Sequence, residues 1–330
     1  MFKNLMVYRV GADWHPTLAQ IEQGLAKGQF LPCGATQAQS LGWVSPRGVE
    51  HGALVESSDG KQGPHWLLKL MIEQRVLPGS VVSQRADELA AQVEQQTGRK
   101  PGKKAMKDLK EQATHELLPL AFTKTAAVRV WIAPALSLLM IDAGSPKRAE
   151  EVVSLLIKAL DGLSLHLVRT AEAPSTCMSA WLQDGVPPEG FTIDRDCELK
   201  SPDEMKSAVR YARHALDIEE VRQHLVAGKL PTRLAMSWKD RVSFVLTDTL
   251  QIKKIAFLDL AFEGRDAPAK DEAFDADAAL ATGELGQLIP MLIDGLGGEH
   301  DFFASAPVSK PELLPEPQGS ETELAAAPWD

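Results

Sequence analysis

The sequence of 330 residues has little cysteine: Cys33, Cys177 and Cys197 lie far apart, form no CxxC pair and leave an odd number for pairing. That usage excludes a disulfide-stapled scaffold and fits a reducing compartment. Long apolar runs are also missing. No window has the length of a bilayer span, and the first ten residues are interrupted by Lys3, Asn4 and Arg9, too polar for a secretory signal. A cytoplasmic protein with no membrane partner is expected.

Catalytic signatures are missing too. No GxGxxG follows a strand-like run, and neither HExxH nor GxSxG occurs. The stretch Gly98-Arg99-Lys100-Pro101-Gly102-Lys103-Lys104 lacks the spacing of a phosphate loop and its magnesium-holding Ser or Thr. His214 and His224 stand ten residues apart, which is not a usual metal-ligand spacing. Cys33, between Pro32 and Gly34, reads as a small buried hydrophobe in a turn, and the acids Asp275 and Asp277 read as a solvated face. The expectation is a protein that is not an enzyme, with no catalytic residue, metal or cofactor.

What is present is an uneven distribution of charge. The formal total is −10 and the pI about 5.4, which alone argues against a nucleic-acid partner. Yet residues 99–110 carry Arg99, Lys100, Lys103, Lys104, Lys107 and Lys110 against the single acid Asp108, a local +5. Screening over about 8 Å at physiological salt lets such a cluster act on its own surroundings. Lys103, Lys107 and Lys110 are four and three residues apart and so share one helix face. Such a row can follow a phosphate backbone, releasing counterions without regard to base sequence. It can equally be a solvated helix face, and composition leaves both open.

Periodicity gives a strand at Leu5–Val10 and a helix from Thr17 to Lys27. Residues 31–64 read as loop because Pro and Gly recur, and a strand follows from Trp66 to Val76. A helix capped by Ser80 and ended by Gly98 precedes a second one that stops before Pro119, giving a helical hairpin with a basic turn. Val128–Ile132, Leu136–Asp142 and a helix at 146–160 form a β-β-α unit. Residues 163–205 show only short signals broken by prolines. A helix at 217–227, a three-strand meander over 230–258, an acidic loop and a helix at about 283–296 follow. The organisation read from this is a discontinuous central α+β region (1–78, 120–170 and 229–302), a basic hairpin (79–119), a smaller end region (171–228) and a disordered acidic tail (303–330), which carries five acids against Lys310.

Several ordered stretches together resemble the recombination-associated protein RdgC family of bacteria. They are Phe2-Lys3-Asn4-Leu5-Met6-Val7-Tyr8-Arg9, Phe30-Leu31-Pro32-Cys33-Gly34, Leu41-Gly42-Trp43-Val44-Ser45-Pro46, Val76-Leu77-Pro78, Lys107-Asp108-Leu109-Lys110-Glu111, Leu117-Leu118-Pro119-Leu120-Ala121-Phe122, Phe274-Asp275-Ala276-Asp277 and Thr282-Gly283-Glu284-Leu285. The resemblance spans residues 1 to about 300. It implies a curved α+β protomer with antiparallel sheets and a projecting hairpin, closing as a ring-shaped homodimer around mainly double-stranded DNA. It also implies a nucleoid-associated role in which occupied DNA is denied to the recombinase RecA. The run from Arg99 to Lys110 matches a DNA-contacting segment, and Phe122 an aromatic position in ring contacts. Arg213-His214-Ala215-Leu216 falls near a ring-closing contact, where His214 and Ala215 replace the pattern's Gln and Asp. Leu120 stands where a basic residue is usual, with Lys124 nearby as a substitute. A scaffold that inhibits RecA by direct contact is the alternative.

Overall fold

The computed structural model describes residues 1–60, 63–264 and 272–300. Residues 1–299 form one compact unit. In chain order it comprises β1 (Leu5–Val10), α1 (Leu18–Ala26), β2 (Gln39–Val44), β3 (Val55–Gly60), β4 (Gly63–Arg75), α2 (Gly79–Thr97), α3 (Lys103–Leu117), β5 (Thr123–Ala133), β6 (Leu138–Asp142), α4 (Pro146–Ala159), β7 (Leu165–Leu167), α5 (Pro174–Asp184), β8 (Phe191–Lys200), β9 (Ala208–Tyr211), α6 (Glu219–Val226), β10 (Leu230–Trp238), β11 (Val242–Thr247), β12 (Ile252–Phe257), α7 (Asp259–Phe262) and α8 (Ala273–Gly295). The fold is α+β. The strands form one sheet in the order β2-β4-β5-β6-β1-β12-β11-β10-β8-β9, with β3 on β4 and β7 on β1, and the paired strands run antiparallel.

The alternation of side chains explains why the strands read as nearly continuous apolar runs. Leu5 and Val7 of β1, Trp131 of β5 and Leu138 and Met140 of β6 face one core, shared with Met178 of α5, Val221 of α6 and Leu285, Leu288, Ile289 and Leu292 of α8. Met6, Tyr8 and Val10 with Val130, Leu139 and Ile141 face the opposite core, closed by Ile21 and Leu25 of α1 and Val152 and Leu156 of α4. A sheet buried on both faces loses the period-two polar positions that would otherwise mark it. Each fully buried Leu or Ile contributes roughly 1.5–3 kcal/mol, so the two layers of helices hold the middle of the sheet.

Several expectations are corrected. Residues 31–64 contain β2 and β3. Gly42 does not break β2: a Cβ there would lie 2.3 Å from the Phe30 Cα, so glycine is required by close backbone approach rather than by a turn. Residues 163–205 contain α5 and the ten-residue β8, whose sequence Phe-Thr-Ile-Asp-Arg-Asp-Cys-Glu-Leu-Lys hides a strand under charge. α8 begins ten residues before the expected start, since the alanine-rich segment around Asp275 and Asp277 is helical. Pro78, not Ser80, is the N-cap of α2, and no side chain caps it. Within 171–228, β8 pairs with β10 and β9 with β8, so both strands continue the common sheet. The expected acidic tail lies outside the described residues. No helix among the described residues is long and apolar enough to cross a membrane.

Candidate nucleic-acid interface

β4 runs to Arg75, and the chain then leaves the sheet as α2, turns and returns as α3 to start β5. Gly98 ends α2 in the left-handed region (φ 70°), where a glycine carries no Cβ penalty. The two helices pack antiparallel through Ala86, Leu89 and Ala113, flanked by Val82 and Leu109, in a cluster separate from both sheet cores. Alanines at the centre let the helices approach closely. Arg85 of α2 ties them together near the root, reaching Glu116 of α3 at 2.9 Å and Glu88 at 3.0 Å. Exposed pairs of this kind contribute about 0–1 kcal/mol each.

The root is held by a different arginine. The Arg75 guanidinium donates to the carbonyls of Leu118 (3.2 Å), Pro119 (3.3 Å) and Ala121 (3.1 Å), and to that of Gly34 (3.3 Å) in the loop beside it. One planar fork thus fixes the chain as it leaves α3. Nothing in the sequence marked Arg75. Cys33, in the same loop, is only half-buried and its thiol donates to the Glu73 carbonyl at 3.4 Å, so the buried-hydrophobe reading is corrected. Burial pushes the thiol of Cys177 up to about 11 and that of Cys197 to about 12, which makes neither a nucleophile at neutral pH.

The structure brings six of the sequence-selected cations together. Arg99 and Lys100 lie in the turn, and Lys103, Lys104, Lys107 and Lys110 on α3; all are exposed. Lys107 stands 3.9 Å from Glu111, both mostly in solvent, and the other five make no ion pair among the described residues. Lys103 and Lys104 occupy the first turn of α3, which contains no acid. Cations there sit at the positive end of the helix dipole, at a cost of roughly 0.3–1 kcal/mol each. The cluster is therefore not placed to stabilise its own helix.

Lys124 is apart from this row, exposed on β5 opposite Gln74. Phe122, just before β5, is 88% exposed, and its carbonyl accepts from the Val76 N–H at 2.8 Å. Leu120 is 80% exposed beside it. Arg213 follows β9 in a left-handed conformation (φ 55°), its N–H donating to Asp196 at 2.7 Å. His214 is exposed, with its ring 5.9 Å from that of Tyr211, and His224 lies 6.5 Å from the same tyrosine. No group of three or more His, Cys, Asp or Glu residues able to hold a metal occurs among the described residues. Asp275 is not merely solvated: it accepts from Arg47 at 2.6 and 3.0 Å, and Arg47 also reaches Glu56 at 3.0 Å.

The fold and this site define a single-sheet α+β protein with a helical hairpin whose turn and following half-helix carry exposed cations. Residues 1–299 match the family described as "Putative exonuclease, RdgC", and the chain belongs to the RdgC family. It is 47% identical over 303 residues to the Recombination-associated protein RdgC of Dechloromonas aromatica, covering 90% of this chain and 98% of that one. The protein of the same name from Herminiimonas arsenicoxydans is 47% identical over 301 residues (91% and 98%), and that of Bordetella pertussis 43% over 300 residues (90% and 98%).

Proposed function

We propose that this chain acts in recombination as a homodimer that encloses duplex DNA without reading its sequence, and restrains RecA by occupying the DNA. The observation that carries this reading is the row of exposed cations on α3 and its preceding turn, of which Lys103 and Lys104 oppose the helix dipole and five of the six make no ion pair among the described residues. Phosphates relieve that arrangement and release counterions in doing so. The exposed Phe122 and Leu120, and Arg213 with His214, are the surfaces through which two protomers meet. Lys124 adds to the positive field near the first of them. The protein performs no catalysis in this reading, although the family description contains the word exonuclease.

The test is the salt dependence of binding to long duplex DNA. With six phosphates neutralised per protomer, log affinity against log salt slopes at about −5, and at about twice that if both protomers contribute. A slope near zero overturns the electrostatic mechanism. Degradation of end-labelled DNA with magnesium or manganese overturns the non-catalytic reading. Inhibition of strand exchange that persists at saturating DNA overturns occupancy in favour of direct RecA capture.

A further inference from the structure

The register of β4 and β5 places Lys69 directly opposite Arg129 on the same face of the sheet. Like charges in that position repel and destabilise a sheet. Both interrupt runs of buried apolar residues: Leu67, Leu68 and Leu70 surround Lys69, and Val128, Val130 and Trp131 flank Arg129. They line a cavity of about 120 Å³ with Pro46, Phe274, Asp277 and Ala278. A water's share of the liquid is about 30 Å³, so the space suits a few waters or one small polyatomic ion.

The nearby acids answer only the arginine of this pair. One Asp142 oxygen accepts from the Lys3 and Asn4 N–H groups at 3.1 and 2.8 Å, and the other forms a long ion pair with the half-exposed Arg129 at 3.8 Å, whose guanidinium also donates to the Met1 carbonyl at 3.4 Å. Asp277 lines the cavity but makes no ion pair among the described residues, and Lys69 makes none either. Burial, then Arg129, push the Lys69 ammonium below the ordinary lysine range. The first turns of α8, which supply Phe274, Asp277 and Ala278, bring the positive end of a 23-residue helix to the same place. Asp277 is the acid that this helix end ordinarily attracts.

The wall opposite is fixed. Arg47 follows Pro46, lies 4.7 Å over the Phe274 ring and grips Asp275 through two bonds, so the loop is fastened to α8. Its charge is consumed there and is not offered to the cavity.

We propose that this cavity is a phosphate-binding site, in which a phosphate group lodges between the Lys69 ammonium and the Arg129 guanidinium at the start of α8. A guanidinium fork and an ammonium point charge are complementary donors to a tetrahedral oxyanion. The site is distinct from the α2–α3 cations and does not depend on their role.

The experiment is thermal unfolding of the full chain in inorganic phosphate against sodium chloride at equal ionic strength. The midpoint is expected to rise by roughly 2–4 °C for each tenfold increase in phosphate beyond saturation. Lys69→Met abolishes that dependence while its midpoint in chloride stays level or rises, since the repulsion is gone. Arg129→Gln, as a second variant, weakens the dependence. A native midpoint indifferent to phosphate overturns the proposal, as does an unchanged dependence in both variants. Affinity for a short 5′-phosphorylated duplex assigns the source. A fall of threefold or more in Lys69→Met assigns the phosphate to nucleic acid, and unchanged affinity with the phosphate effect lost assigns it to a small phosphorylated molecule.

Discussion

Phe122 and Arg213 adjoin two strands of one hydrogen-bonded sheet that lie seven steps apart, β5, third from one edge, and β9 at the other. At the usual strand spacing of about 4.8 Å that is roughly 34 Å along the sheet. Phe122 has no core to fill, and Arg213 is held by Asp196 in a left-handed turn. Were both to be contact surfaces, as the proposed function has them, a symmetric pair would meet twice and close. In the proposed function this separation leaves room for a duplex between the contacts.

Replacing Lys103, Lys107 and Lys110 together with Glu is expected to weaken binding to all DNA sequences alike and to reduce the salt slope by about 3 per protomer. The unfolding midpoint stays within about 1–2 °C or rises slightly, because Glu in the first turn suits the helix dipole. Fluorescence anisotropy at several salt concentrations, beside a thermal melt, checks both halves.

Phe122→Glu is expected to shift the protein toward monomer in sedimentation velocity while leaving the stability of the protomer nearly unchanged. A side chain already in solvent loses no burial on replacement. If the ring is instead covered within the protomer, the urea midpoint falls with the change.

Arg75→Met removes donors from five carbonyls around the end of α3 and the loop of Cys33 and Gly34. Leaving half-buried acceptors unpaired costs about 1–3 kcal/mol. Hydrogen exchange is expected to accelerate at Ala121 and Val76, whose N–H groups bond within this root, with little change in β1 or β6.

Glu198 is buried between Lys200 at 2.8 Å, Arg210 and Thr232, and hydrogen bonds from these groups hold its carboxyl down to about 2. An unfolded glutamate titrates near 4.3. A depressed folded value gives stability that is present above about pH 4.3 and lost as pH falls toward 2. Glu198→Gln is therefore less stable than the native chain at pH 6, and the difference shrinks on acidification. Urea unfolding at pH 6, 4 and 3 measures it; a constant gap contradicts the assignment.

Much of the fold was legible where local signals agree with the final structure. β1, α1, α4 and the β10–β12 meander follow hydrophobic period, and α2 ends where Gly98 predicts. Where reading failed, long-range contact had overridden local chemistry. Gly42 looks like a breaker until the Phe30 backbone is seen against it. β8 looks like a charged loop until Glu198 is matched with Lys200 and Arg210, and Cys197 and Leu199 turn inward.

The basic row was visible because six cations fall within twelve residues, and helix spacing alone assigns three of them a common face. Phe122 needed the structure, since an aromatic residue after a proline is as readily core as surface. Arg75 carried no signal, and the pair Lys69 and Arg129 a weak one: a lysine or an arginine inside an apolar run shows an anomaly but not its partner.

By itself the sequence determined β1, α1, α4, the helical hairpin, the β10–β12 meander and the acidic total with its basic exception, because these depend on neighbours within a few residues. Tertiary structure alone decided which strand lies beside which. The tertiary structure therefore set Lys69 against Arg129, placed Phe122 and Arg213 seven strands apart, and brought Arg47 to Asp275 across 228 positions. Those pairings are made by backbone hydrogen bonds and packing between distant segments, for which no local pattern of side chains stands as a code.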